Sequence, residues 1–170
     1  MSVSTPAPSG QLRQLRIMAA VLLTVPVIVL VTMWFVLSDT LTAPTPWPFV
    51  IGVLALAVVG ELVVRSVGYR TVVLARGLTK DQAMAQSRLS YQAALFRRSA
   101  IAELPMIVSL ALAFTIPGGF YIVLFGTAAT LNLLALHIWP SERSIERVQT
   151  SLELDGAHSY LREALGLPPI

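Results

Sequence analysis

Apolar residues in this chain neither alternate nor recur in stripes three and four apart; they fall in four nearly unbroken runs. These runs cover residues 17–37, 49–64, 100–116 and 120–139. Alternation would predict half-buried strands and a stripe would predict a soluble bundle, whereas runs apolar on every side predict helices solvated by lipid or by one another. Each run is near the roughly 20 residues that cross a bilayer. The pattern therefore predicts an all-α integral membrane protein with four transmembrane helices, arranged as two tandem helical hairpins.

The stretches between the runs complete the layout. Residues 1–12 are small, polar and Pro-containing at their start, and are expected to be disordered because they offer no packing to offset ordering entropy. Residues 13–140 form the predicted transmembrane domain. Its first run is expected to be retained rather than cleaved as a signal peptide, being too long for an h-region, with Pro44 poorly placed after Ala43. Prolines 44, 46 and 48 stop any helix in the first outer loop, and Trp34 and Trp47 suit the aromatic belt at that face. Residues 65–99 form a polar connector in which Thr79 and Gln82 make a capping box for a helix opening near Lys80. No strong breaker follows before Pro105, so that helix is free to run on into the third span. Residues 141–170 are a tail. Ile145, Val148 and Leu152 share one helical face, as do Tyr160, Leu161, Ala164 and Leu165 after Gly156, so two short amphipathic helices are expected.

Composition agrees with lipid as the solvent. The chain is 55% hydrophobic and only 12% charged, too few charges to clothe a soluble domain of this size. The net charge of +3 does not indicate nucleic acid, because the basic residues flank the apolar runs. In the connector, Arg65, Arg70, Arg76, Lys80, Arg88, Arg97 and Arg98 oppose Asp81 alone, while the tail is net acidic and complementary to it. Arg13, Arg16, the connector and Arg143 with Arg147 fall on one side of the predicted membrane, and the opposite loops carry only Asp39. Positive residues stay inside, so both termini are expected in the cytoplasm and the membrane is expected to be the plasma (inner) membrane. The chain contains no cysteine, which excludes disulfides and thiolate chemistry.

The candidate chemistry lies in the few polar residues within the runs. Thr24-Val25-Pro26-Val27-Ile28 aligns with Glu103-Leu104-Pro105-Met106-Ile107, and Phe49 to Glu61 with Phe120 to Asn132, which suggests a parallel repeat of two hairpins. Such a repeat would gather Thr24, Glu61, Glu103 and Asn132 into one polar layer near the arginine-lined side, with Pro26 and Pro105 as helix kinks. The charge partners are Arg65 for Glu61, at i,i+4, and Arg97 and Arg98, or Ser99, near Glu103. An intramembrane carboxylate is costly and is a candidate proton or cation site. Both acids lie near the interface rather than the midplane, which favours a structural role. His137, beside Trp139, reads as an interfacial anchor rather than a ligand, and no clustered acids join it or His158 in a metal site. Neither a phosphate loop nor the Ser/His/Asp set of acyl chemistry is present, so catalysis is unsupported and no cofactor is implied.

The stretch Ala100-Ile101-Ala102-Glu103-Leu104-Pro105-Met106-Ile107, followed by Ala111-Leu112-Ala113-Phe114, resembles the carboxylate-bearing helix of ATP synthase c subunits. The resemblance implies for Glu103 the uptake and release of a translocated proton. It covers residues 100–114 only, and the glycine-rich partner helix of that family has no counterpart. The expected partners are the lipid bilayer and other membrane-protein subunits. An accessory or assembly role in a larger complex is the leading expectation, and proton or ion handling by Glu61 and Glu103 is the alternative. Reporter tags at both ends and at residue 42 test the layout: the two ends should report one side and residue 42 the other. Residue 42 on the side of the ends would overturn it.

Overall fold

The computed structural model describes residues 9–168, and every regular element among them is helical. Helix α1 spans Ser9–Val36, α2 Trp47–Val63, α3 Lys80–Ala113, α4 Gly119–His137, α5 Glu142–Leu152 and α6 Leu161–Ala164. A short 3-10 helix, Ser38–Thr42, follows α1, and a π-helical turn, Val64–Gly68, prolongs α2. Of the stretch expected to be disordered, residues 1–8 lie outside the described residues, and α1 already begins at Ser9.

Three helices are long and apolar enough to cross a bilayer: Leu12–Val36, Trp47–Gly68 and Gly119–His137. This corrects the expectation of four. Residues 100–116 are not a fourth such helix, because α3 ends at Ala113 and its N-terminal half is polar. Sheltered by α2 and α4, they still carry the chain from the arginine-rich end to the Gly118 corner, so α1 starts and α4 finishes at the same end of the bundle. The apolar part beyond Arg98 is only about 22 Å long, short of the roughly 30 Å of a hydrocarbon core. It packs between α2 and α4, where Ala102, Pro105, Met106 and Ser109 are buried.

Local rules explain why α3 is continuous. Thr79 and Gln82 form a reciprocal capping box at its start, each side chain meeting the other residue's backbone N–H. Pro105 removes one backbone donor from the helix interior. The next amide, Met106 N, donates across to Thr130 Oγ1 on α4 at 3.1 Å. In lipid no water can take this role, so a neighbouring helix must. Pro26 likewise sits inside an unbroken α1. The hydroxyls of Thr24 and Thr32 are satisfied within α1, donating to Ala20 O and Ile28 O.

The two ends of the bundle differ. At one end, α1 and the 3-10 helix meet the turn into α4: Tyr121 Oη donates to Leu41 O, and Phe120 N donates to Thr40 Oγ1. Trp34 packs edge-on to Phe120 above Leu37, Ala113 and Val123. Gly118 turns this corner with φ of 74° while its α-carbon lies against the Pro44 carbonyl, two demands that only glycine meets. At the other end, the polar half of α3 projects beyond α2 and α4, and the tail folds back along it. Ile145, Val148, Leu152, Leu161 and Leu165 join Leu74, Ala83, Tyr91 and Leu95 in one core. Ser87 Oγ donates to Ser159 O, Thr71 N donates to Ser151 Oγ, and Lys80 pairs with Glu163. The hydrogen bond to Glu163 raises the Lys80 pKa above its ordinary 10.5, so on the alkaline side this contact is lost only as pH climbs through the lysine's raised titration. The amphipathic faces of the tail are thus covered by the chain itself.

Helices α3 and α4 approach closely in mid-helix at Gly126, where an added Cβ would overlap the Ser109 side chain and crowd the Pro105 carbonyl. Gly126→Leu should therefore cost about 1–3 kcal/mol of stability. Gly52→Leu, at a site with nothing within 4 Å, should change it by less than about 0.5 kcal/mol. Unfolding in detergent micelles reads both, and equal losses would refute this packing.

Candidate functional site

The densest polar chemistry lies where α2 and α4 end together. Glu61 is on the last full turn of α2, with Arg65 one turn on, so Arg65 Nε donates to Glu61 Oε1 at 2.5 Å. The second carboxylate oxygen meets Nε2 of His137, the last residue of α4. Nδ1 of the same ring lies 2.9 Å from the Tyr69 hydroxyl. A carboxylate only accepts, so one tautomer satisfies all three groups: His137 Nε2–H donates to Glu61, and Tyr69 O–H donates to Nδ1. The result is a linear chain, Arg65–Glu61–His137–Tyr69, joining two helix ends and the connector.

Below Tyr69 lies a buried cation. Arg98 has no exposed surface, and its guanidinium stands 4.5 Å from the Tyr69 ring centre and 5.8 Å from that of Tyr91. Its Nε donates to Ala94 O, while both terminal nitrogens lack a hydrogen-bond partner. The aromatic faces replace an acid as its neighbours. Gly68 makes the approach possible, since a Cβ there would stand 2.8 Å from Arg98 Cγ. The π-helical turn that ends at Gly68 sets Tyr69 over the guanidinium; such turns recur at functional sites. Arg147 of α5 approaches the Tyr69 ring at 5.1 Å.

The expected polar layer does not assemble. Glu61 and Asn132 share one groove between α2 and α4, whereas Thr24 is exposed on α1 and bonded within it. Glu103 accepts from Ser99 Oγ at 3.0 Å, and no hydrogen bond or ion pair among those seen in the described residues links it to Glu61. Of the expected charge partners, Arg65 does pair with Glu61. Arg97 instead reaches Val67 O, and Arg98 turns to Tyr69. His137 is a correction too: it is 5% exposed and central to the chain, not an interfacial anchor. Tyr69, Tyr91 and Arg147 carried no sequence signal, because their roles arise from contacts between elements distant in the chain.

The arrangement can hold a proton on defined atoms and concentrate positive charge at one end of the bundle. Among the described residues no three His, Asp or Glu side chains converge on a metal-sized site. Comparison with protein-family models, with curated proteins and with solved structures finds no match to this chain.

Tyr69→Phe should cost about 1–3 kcal/mol, because it leaves the buried His137 Nδ1 without a donor. Arg65→Gln should cost less than about 1 kcal/mol, since that side chain is 66% exposed and the pair is screened. Unfolding in detergent micelles ranks the two; the reverse order would refute the chain as the organising contact of this end.

Proposed function

We propose that this chain is an integral membrane protein with both termini in the cytoplasm, acting as an accessory or assembly subunit of a larger complex in the plasma (inner) membrane. The orientation rests on the arginines gathered at one end of the bundle. The observation that carries the role is how little of α1 and α2 the chain itself covers. Only 11% of the most apolar window of α1 and 22% of that of α2 are buried, against 50% for α4. On α2 the uncovered face includes Gly52 and Ala55, small residues that let a second helix approach closely. The tail, by contrast, has its apolar faces filled by α3 and the connector, so it offers a polar surface rather than an apolar one. Docking is therefore assigned to the bilayer-facing helices.

Proton or ion handling is the second reading, and the Glu61–His137–Tyr69 chain is what favours it. A path across the membrane needs further steps, and Tyr121 is the one titratable side chain that the spanning segments place between Glu61 or Glu103 and the far end. The same gap bears on the role that the ATP synthase resemblance implies for Glu103.

Extraction in mild detergent followed by native mass measurement tests the assignment. A defined assembly heavier than the 18.4 kDa chain is expected, and a lone, uniformly monomeric species would count against it. A proton flux in reconstituted vesicles that Glu61→Gln or Glu103→Gln abolishes would replace it with the second reading.

A further inference from the structure

Two concavities meet at Arg65. One is an apolar groove between α2 and α4, walled by Leu54, Val58, Leu133 and Leu136 and floored by Ala57 and Ala129. The other is a basin between the end of α2 and α5, lined by Arg65, Arg70, Arg147 and the hydroxyls of Ser66, Thr150 and Ser151. No acidic residue lines the basin. Glu61, at the junction, is already engaged by Arg65 and His137. Behind the basin, Arg98 adds a buried positive charge with no acidic partner among the described residues, 4.5 Å from the Tyr69 ring that forms part of the lining.

The groove also contains an unexplained polar group. Asn132 is exposed in it, on α4 in the turn before His137. An amide facing hydrocarbon is unfavourable unless something accepts from it. Toward the end of the bundle the apolar walls give way to an amide, to a carboxylate already held by Arg65 and His137, and to three guanidiniums, a sequence that matches an acyl chain, a glycerol ester carbonyl and a phosphodiester.

We propose that this groove and basin bind one anionic glycerophospholipid, its acyl chain between α2 and α4, an ester carbonyl accepting from Asn132, and its phosphate held by Arg65, Arg70 and Arg147. Arginine suits the phosphate because its planar fork donates to two oxygens at once. The occupant is a lipid rather than a free phosphate because the basin opens onto the groove, and a headgroup alone would leave the groove and Asn132 unmet. The site rests on the membrane placement proposed above but not on an accessory role.

The full chain in neutral detergent, presented with phosphatidylglycerol, phosphatidylcholine or soluble glycerophosphate and weighed by native mass measurement, tests the proposal. Phosphatidylglycerol should be retained at one per chain and about tenfold more tightly than phosphatidylcholine. Arg70→Gln with Arg147→Gln, both at exposed positions, should abolish that preference with helical content unchanged, and Ala129→Phe should weaken both lipids by filling the groove. Equal retention of the two lipids, a preference that survives the double variant, or glycerophosphate bound as tightly as the lipid would each overturn the proposal. Should the double variant unfold, the three-ligand comparison on the unaltered chain decides. The reporter tags at residue 42 and the ends separate failure of the membrane placement from failure of this site.

Discussion

The constraint on which the structure depends is that one unbroken helix, α3, lies in two environments. From Lys80 to about Arg98 it is a polar rod coated by the tail; from Ser99 to Ala113 it is an apolar rod held between α2 and α4. A charged residue at that boundary must find a polar neighbour that is not water. Arg98 finds two tyrosine rings and one carbonyl, and Ser99 serves Glu103 just inside. Because the helix does not bend to avoid this boundary, the connector and the ends of α2 and α4 are built around it. The π-helical turn, the contact of Gly68 with Arg98 and the Glu61–His137 pair all lie on that plane.

How much of this was legible depends on whether the cause was local. Lipid-solvated helices announce themselves by composition, so α1, α2 and α4 were readable as spans to within a few residues. The Thr79–Gln82 box and the lack of a breaker before Pro105 marked the start and the continuity of α3. The pairing of Glu61 with Arg65 followed from i,i+4 spacing alone. Arg98 and Glu103, five positions apart, point about 140° away from each other around a helix, so an ion pair between them was excluded by geometry that the spacing already contained. Ser99, four positions before Glu103, is the residue that bonds it.

The remaining site residues were not legible for a different reason. A helix apolar on every side gives no signal of which face it turns inward, so the azimuths of Thr24, Asn132 and His137 could not be read. The proposed repeat set Thr24 opposite Glu103 along the chain, yet Thr24 faces outward on a helix that touches little else. The pairing of His137 with Glu61 joins residues 76 positions apart. It is fixed by where two helices happen to finish, which no local pattern encodes.

The hydrogen bond from Met106 to Thr130 has a consequence for the order of assembly. Next to Pro105, the Met106 amide bonds a hydroxyl that belongs to a segment synthesised later. Until α4 is made, that half of α3 is short, carries Glu103 and lacks the Thr130 contact. Much of what shelters this half of α3 in the finished fold, Thr130 included, therefore comes from chain that is made after it.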